Sequence, residues 1–126
     1  MAKKISSLLL FVMTTAVLFA AQESYMAYVD GDRLLEKCDT GPSEDKGFCA
    51  GYVAAAMDEM VTLANSLQAA SESHVLPKMY CLPKGGIELG QAMRVTVKWL
   101  HDHPEKLHFA GDILVVMAMK DGFPCK

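Results

Sequence analysis

Residues 43–67 read SEDKGFCAGYVAAAMDEMVTLANSL, and this stretch decides the fold class. Ser43 is a good N-cap residue, and Glu44 and Asp45 put negative charge in the first turn, where the helix dipole favours it. Apolar side chains then recur at Val53, Met57, Met60, Val61, Ala64 and Leu67, which is helical spacing and excludes the alternation of a strand. Asp58, Glu59 and Asn65 fall on the other face. Small residues at Ala50, Gly51, Ala54, Ala55 and Ala56 would let a second helix approach closely. Glycine in a helix interior costs about 1 kcal/mol relative to alanine, so Gly51 is expected where packing is tight.

Toward the N-terminus a shorter helix is expected from about Asp32 to Cys38, with Leu34 and Leu35 as its apolar contacts. Asp39-Thr40-Gly41-Pro42-Ser43 ends it with turn chemistry. Toward the C-terminus, Ala70 to Gly86 is a long connection. Pro77, Pro83, the Gly85-Gly86 pair and Cys81 all argue against regular structure there. A third helix follows over about Glu88 to His101, with Leu89, Met93, Val97 and Leu100 in one stripe and Ala92, Val95 and Trp99 beside it. Its β-branched run, Val95-Thr96-Val97, suits a strand, but the apolar period does not. Pro104 then suits the first position of a fourth helix, with Glu105 in its first turn. The inner face of that helix is expected at Leu107, Ala110, Ile113, Leu114 and Met117, and Asp121-Gly122 ends it. With only His101-Asp102-His103 between them, the last two helices should form an antiparallel hairpin, with His103 capping the fourth. The sum is an all-α fold, a small helical bundle of about four helices.

The chain begins with a basic pair, Lys3-Lys4, then an uncharged apolar run from Ile5, closed by small Ala20 and Ala21 before polar Gln22-Glu23-Ser24. That order reads as a secretory signal peptide over residues 1–21. Residues 22–126 remain as a single domain with no membrane anchor after cleavage. Removing Lys3 and Lys4 from 12 basic and 15 acidic residues moves the net charge from −3 to −5. Such a domain repels nucleic acid and anionic lipid and suits a basic protein partner.

All four cysteines, Cys38, Cys49, Cys81 and Cys125, fall in this domain, and an even count in a short exported chain implies two disulfides. Three pairings are possible and the sequence does not choose among them. Cys38–Cys49 with Cys81–Cys125 is favoured, because each bond would tie neighbouring elements together. A bundle this small needs such staples.

Motifs for chemistry are sparse. His101, His103 and His108 invite a metal site, but two of them are separated by one residue within a turn, and the close cysteine pair of zinc sites is missing. Glu44-Asp45 and Asp58-Glu59 are carboxylate pairs on expected helix surfaces, where no raised acid is to be found. Neither a nucleophile elbow nor a glycine-rich phosphate loop occurs. The nine methionines suit core filling, or alternatively an exposed patch that holds clients. No catalytic, cofactor or metal residue is expected, and the chain does not read as an enzyme. The remaining enzymatic option, a nucleophilic Cys81 or Cys125, requires a free thiol.

Taken in order, Leu34-Leu35 with Cys38, then Cys49-Ala50-Gly51-Tyr52 and Asp58, form one half of a pattern. Cys81-Leu82-Pro83, Gly90-Gln91, Val97-Lys98-Trp99-Leu100, His103-Pro104-Glu105 and Phe123-Pro124-Cys125 form the other. This ordered set resembles the Rap/Tai family of immunity proteins, which protect bacteria against peptidoglycan amidase toxins of type VI secretion systems. Ala55 stands where the family tends to have a second small glycine, and Glu88 where it favours Ser or Thr at a helix start, so that cap should be weak. The resemblance implies an all-helical periplasmic protein, often a homodimer, that occludes the active site of a cognate amidase effector through a protruding loop. The local candidate for toxin binding is Ser71, Glu72, Ser73 and His74, polar and negatively charged within the long connection. The alternative is a periplasmic stress chaperone, also small, helical, exported and disulfide-bonded. Against it stand the two expected disulfides and the lack of a lysine-rich tail.

Overall fold

A computed structural model describes residues 28–70 and 78–126. The apolar segment 1–21 and Ser71, Glu72, Ser73 and His74 lie outside the described residues. Among these, four helices form the fold: α1, Gly31–Leu35; α2, Ser43–Ala70; α3, Leu89–Asp102; and α4, Gly111–Gly122. There is no strand among the described residues, only an isolated antiparallel bridge between Asp30 and Ala110. The all-α class and the four-helix bundle are as the sequence predicts.

Helix α1 is capped by Asp30, whose carboxylate accepts the Arg33 backbone N–H at 2.9 Å. Its one fully buried side chain is Leu34. A π-helical turn over Glu36–Thr40 then widens the chain, and Cys38 within it bonds Cys49 of α2. Beside that disulfide the Lys37 ammonium donates to Asp45 at 2.8 Å, fixing the π turn against the first turn of α2. The second disulfide joins Cys81 to Cys125. It holds the segment before α3 against the chain's end, where the Cys81 N–H donates to Phe123 O at 2.8 Å. The favoured pairing is thus the one present, and all four cysteines are consumed. No thiol remains for the nucleophilic reading of Cys81 or Cys125.

In α3 the buried side chains are Ala92, Thr96, Trp99 and Leu100; of the expected stripe only Leu100 is buried, Leu89 being exposed and Met93 and Val97 half-buried. The Trp99 indole N–H donates to Asp121 at 2.6 Å, tying α3 to the end of α4. Glu88 is extended and makes no side-chain cap bond, as its departure from the family pattern implied.

Three expectations fail for tertiary reasons. First, the fourth helix does not start at Pro104. Pro104–Lys106 makes a single 3-10 turn, and the chain then passes through a turn at Leu107-His108 and a bend at Phe109 before Gly111. There Gly31 N–H donates to Phe109 O at 3.0 Å, Asp32 N–H to Leu107 O at 3.2 Å and Gly111 N–H to Val29 O at 2.9 Å. Those bonds satisfy orphan groups at the start of α1, and they compete successfully with helix at 107–110. His103 accordingly caps nothing in α4; it ends α3, with Nδ1 2.8 Å from Trp99 O and its ring stacked on the indole. Second, with α4 starting at Gly111 the buried stripe becomes Leu114, Val115, Ala118 and Met119, and Ile113 turns outward. Third, α2 outruns the core. Cys49, Val53 and Ala56 are buried, but from Val61 onward every described side chain of the helix is exposed. About three turns, roughly 15 Å, project with Val61, Leu63 and Leu67 uncovered. Gly51 is likewise exposed, and a Cβ there would meet nothing within 4 Å, so close packing is not its reason.

Candidate functional site

A cleft opens where α2 faces the Tyr28–Asp30 entry to α1 and the turn before α4. Its volume is about 710 Å3. Buried Val29 and Ala56 close it from below, and Tyr52 stands within it. Tyr28, Phe48, Phe109 and Ile113 surround the opening, all exposed, with Tyr28 85% accessible. Phe48 and Tyr52 stack with ring centres 5.7 Å apart, one helical turn from each other on α2. His108 packs on Phe109 at 4.2 Å across the opening's far side.

Three carboxylates line the cleft, Asp30, Glu59 and Asp112, and neither lysine nor arginine does. One oxygen of Asp30 is committed to the α1 cap. Burial first, then the Asp112 and Glu59 carboxylates, push the Tyr52 phenol above its ordinary value, with a backbone hydrogen bond from Asp112 pulling the other way. Tyr52 is therefore a neutral phenol at physiological pH. Its oxygen sits over the start of α4, where a Cβ on Gly111 would lie only 3.0 Å away. Glycine at that position is what lets the ring reach across from α2 to α4.

A second cleft, of about 610 Å3, has the opposite charge. Lys46, Arg94, Lys98 and His101 line it together with Met93 and Val97. Part of that charge is paired, since Lys98 meets Asp102 at 2.5 Å; Asp39, also in the lining, lies 2.8 Å from the His101 ring.

The three histidines near the α3–α4 connection do not converge. His101 turns to Asp39, His103 to the Trp99 carbonyl and His108 to Phe109. Among the described residues there is no group of three or more His, Cys, Asp or Glu side chains placed to hold a metal ion. The paired carboxylates Glu44-Asp45 and Asp58-Glu59 also separate, since only Glu59 reaches the first cleft.

A family model described as Rap1a immunity proteins matches residues 30–125. The chain belongs to the Rap1a immunity family. The search of curated proteins and the search of solved structures each returned no match. The Rap1a match begins at the capping residue of α1 and ends at the last cysteine, so it takes in both disulfides and the first cleft except Tyr28 and Val29. Among the described residues no helix is long and apolar enough to cross a membrane.

The sequence singled out the four cysteines correctly but passed over the aromatic cleft of this Rap1a-family chain. Phe48 sits beside Cys49 with no periodic signal of its own, and Phe109 was expected inside a continuous fourth helix. The break at Pro104–Lys106 and the turn and bend behind it place Phe109 in the same cleft as Phe48 and Tyr28.

Proposed function

We propose that this chain is a periplasmic immunity protein that binds and sterically inhibits a type VI secretion peptidoglycan amidase toxin, protecting the bacterium that makes it. Membership of the Rap1a immunity family over residues 30–125 carries this reading. The compartment follows from residues 1–21, read as a cleaved signal, and from two disulfides that would not persist in a reducing cytoplasm. Residues 22–126 are then the working domain. Occlusion needs shape and charge complementarity and no catalytic group, so this is inhibition without enzymology. Self-association into a homodimer would cover apolar side chains such as Leu63 and Leu67 on the projecting end of α2. Ser71, Glu72, Ser73 and His74 follow that helix directly and would enter the toxin's cleft; their replacement by alanine should then weaken binding.

The test is protection in the periplasm. The product of the adjacent gene is exported in a tester strain with and without this protein, and culture density is followed. Lysis that this protein prevents supports immunity; lysis that it cannot prevent removes it. The exposed apolar end of α2 is also what a client-binding chaperone of the small periplasmic kind would present. Suppression of aggregation at low pH, without protection from the amidase, would establish that second reading.

A further inference from the structure

Nine large apolar side chains stand exposed among the described residues, and four of them, Tyr28, Phe48, Phe109 and Ile113, surround one cleft. An isolated exposed leucine means little, but aromatic rings gathered around a concavity are how interfaces build their energetic centres. The same cleft is lined by the carboxylates Asp30, Glu59 and Asp112 and by neither lysine nor arginine. Glu59 and Asp112 have no ion-pair partner among the described residues. Two cations border the cleft without lining it: Lys37, paired with Asp45 at 2.8 Å, sits 5.3 Å from the Phe48 ring centre, and the Arg33 guanidinium sits 5.6 Å from the Tyr28 ring centre. Both carboxylates act on the Tyr52 phenol, which adds no charge to offset them.

We infer that this cleft is the docking site for a cationic, apolar segment of the partner protein, an arginine or lysine held between Glu59 and Asp112 with its apolar neighbours on Phe48, Phe109 and Ile113. The identity of the partner rests on the immunity reading above, and the inference assigns the surface and the chemistry it selects. An arginine fits best, because its planar guanidinium can bridge two carboxylates and lie against aromatic faces in the same pose. Charge argues against the other occupants. A second copy of this chain brings a domain of net −5 once Lys3 and Lys4 are removed, so like charge meets like. The adjoining residues Gln22 to Ala27 carry Glu23 and, after cleavage, the α-ammonium of Gln22, so they bring no net positive charge. Nucleic acid would set phosphates against three carboxylates.

The test uses the oxidised protein, purified from the periplasm of an expression host and labelled with 15N. Two blocked peptides are titrated into it, one of sequence Leu-Arg-Phe-Arg-Leu and one in which both arginines are glutamates. The arginine peptide is expected to move the amide resonances of Tyr52, Gly111 and Ile113 at millimolar concentration, and the glutamate peptide to leave them in place. The double variant Glu59→Gln/Asp112→Asn should bind the arginine peptide about tenfold more weakly, the size expected for two partly exposed charge pairs. Ile113→Ser should weaken it as well, at a position already 53% exposed and therefore without harm to folding. Lys46→Gln/Arg94→Gln, in the basic cleft, should change nothing. Equal shifts from both peptides, shifts confined to other residues, or unchanged binding by Glu59→Gln/Asp112→Asn would overturn the inference.

The same variants are then measured against the amidase. Loss of about tenfold in affinity for the acidic-cleft pair but not the basic-cleft pair extends the assignment to the toxin. Wild-type affinity in the acidic-cleft variant overturns the inference and leaves immunity standing. An arginine peptide that docks as expected beside an amidase that does not bind overturns the immunity reading and leaves the cleft's chemistry standing.

Discussion

Replacing Gly51 and Gly31 by alanine, one at a time, should move the stability of this fold in opposite directions. Gly51 lies in the interior of α2 on an exposed face, and an added Cβ would meet nothing within 4 Å. Alanine there only removes backbone freedom from the unfolded chain and should stabilise by about 1 kcal/mol. Gly31 is buried, and an added Cβ would lie 2.8 Å from both the Cα and the carbonyl oxygen of Leu107 and 2.5 Å from Leu114 Cδ1. The leucine side chain can swing away, but the backbone at Leu107 cannot move freely. It accepts the Asp32 N–H at 3.2 Å, and two residues on Phe109 accepts that of Gly31 at 3.0 Å. Overpacking of about 1–3 kcal/mol with one hydrogen bond of about 1 kcal/mol lost puts the cost of Gly31→Ala at about 2–4 kcal/mol. For a domain of this size each kcal/mol shifts the melting temperature by about 4–8 °C. Thermal and urea unfolding of the oxidised protein, followed by far-ultraviolet circular dichroism, would measure both. A Gly31→Ala variant as stable as wild type would mean the α1 contact with the 107–111 run yields without cost. A destabilised Gly51→Ala would mean that this face of α2 is packed against something in solution. Either result refutes the packing argument.

Other perturbations test other parts of the fold. Thr96 is fully buried with its hydroxyl unpaired, so Thr96→Val should raise stability by about 1 kcal/mol in urea unfolding; a loss would show that the hydroxyl has a partner. The Cys81–Cys125 bond joins an exposed cysteine to a half-buried one, whereas Cys49 is fully buried. Dithiothreitol should therefore open Cys81–Cys125 first, as read by alkylation and mass spectrometry, and the reverse order would contradict the burial. Across loops of 44 and 11 residues, chain entropy assigns about 4 kcal/mol to Cys81–Cys125 and about 3 kcal/mol to Cys38–Cys49, so the double-serine variant of the former should be the less stable. Tyr52 has its phenol raised by burial, then by Asp112 and Glu59. The unfolded chain then ionises first as pH climbs past the ordinary tyrosine value of about 10, so this contribution is complete below that pH and is lost above it. Tyr52→Phe should flatten part of the alkaline fall in melting temperature, leaving the part due to Tyr80, which burial and Asp58 raise in the same direction. An unaltered profile would remove Tyr52 from the account.

Much of the fold is legible in short-range chemistry. Ser43 with Glu44 and Asp45 marks where α2 begins, and α2 does start at Ser43. On α3 the apolar spacing is only partly followed: Ala92, Trp99 and Leu100 are buried, whereas Leu89 is exposed and Met93, Val95 and Val97 are half-buried. Rules of this kind depend on neighbours a turn away, and a sequence displays those neighbours directly. The aromatic cleft was not legible, because Tyr28, Phe48, Tyr52 and Phe109 meet only after chain segments far apart in sequence pair their backbones.

The sequence by itself determined an all-helical chain with four cysteines in an ordered family pattern, because capping, periodicity and turn chemistry act over a few residues. Tertiary structure alone decided which cysteines pair, where α4 starts and which of its faces is buried. It also decided that α2 runs beyond the core and that four exposed apolar side chains surround a carboxylate-lined cleft. The reason lies in backbone competition. Residues 107–111 could satisfy their hydrogen bonds in a helix or across to Val29, Gly31 and Asp32, and only the assembled fold, with Leu34 and Leu114 buried on either side, makes the second choice the better one.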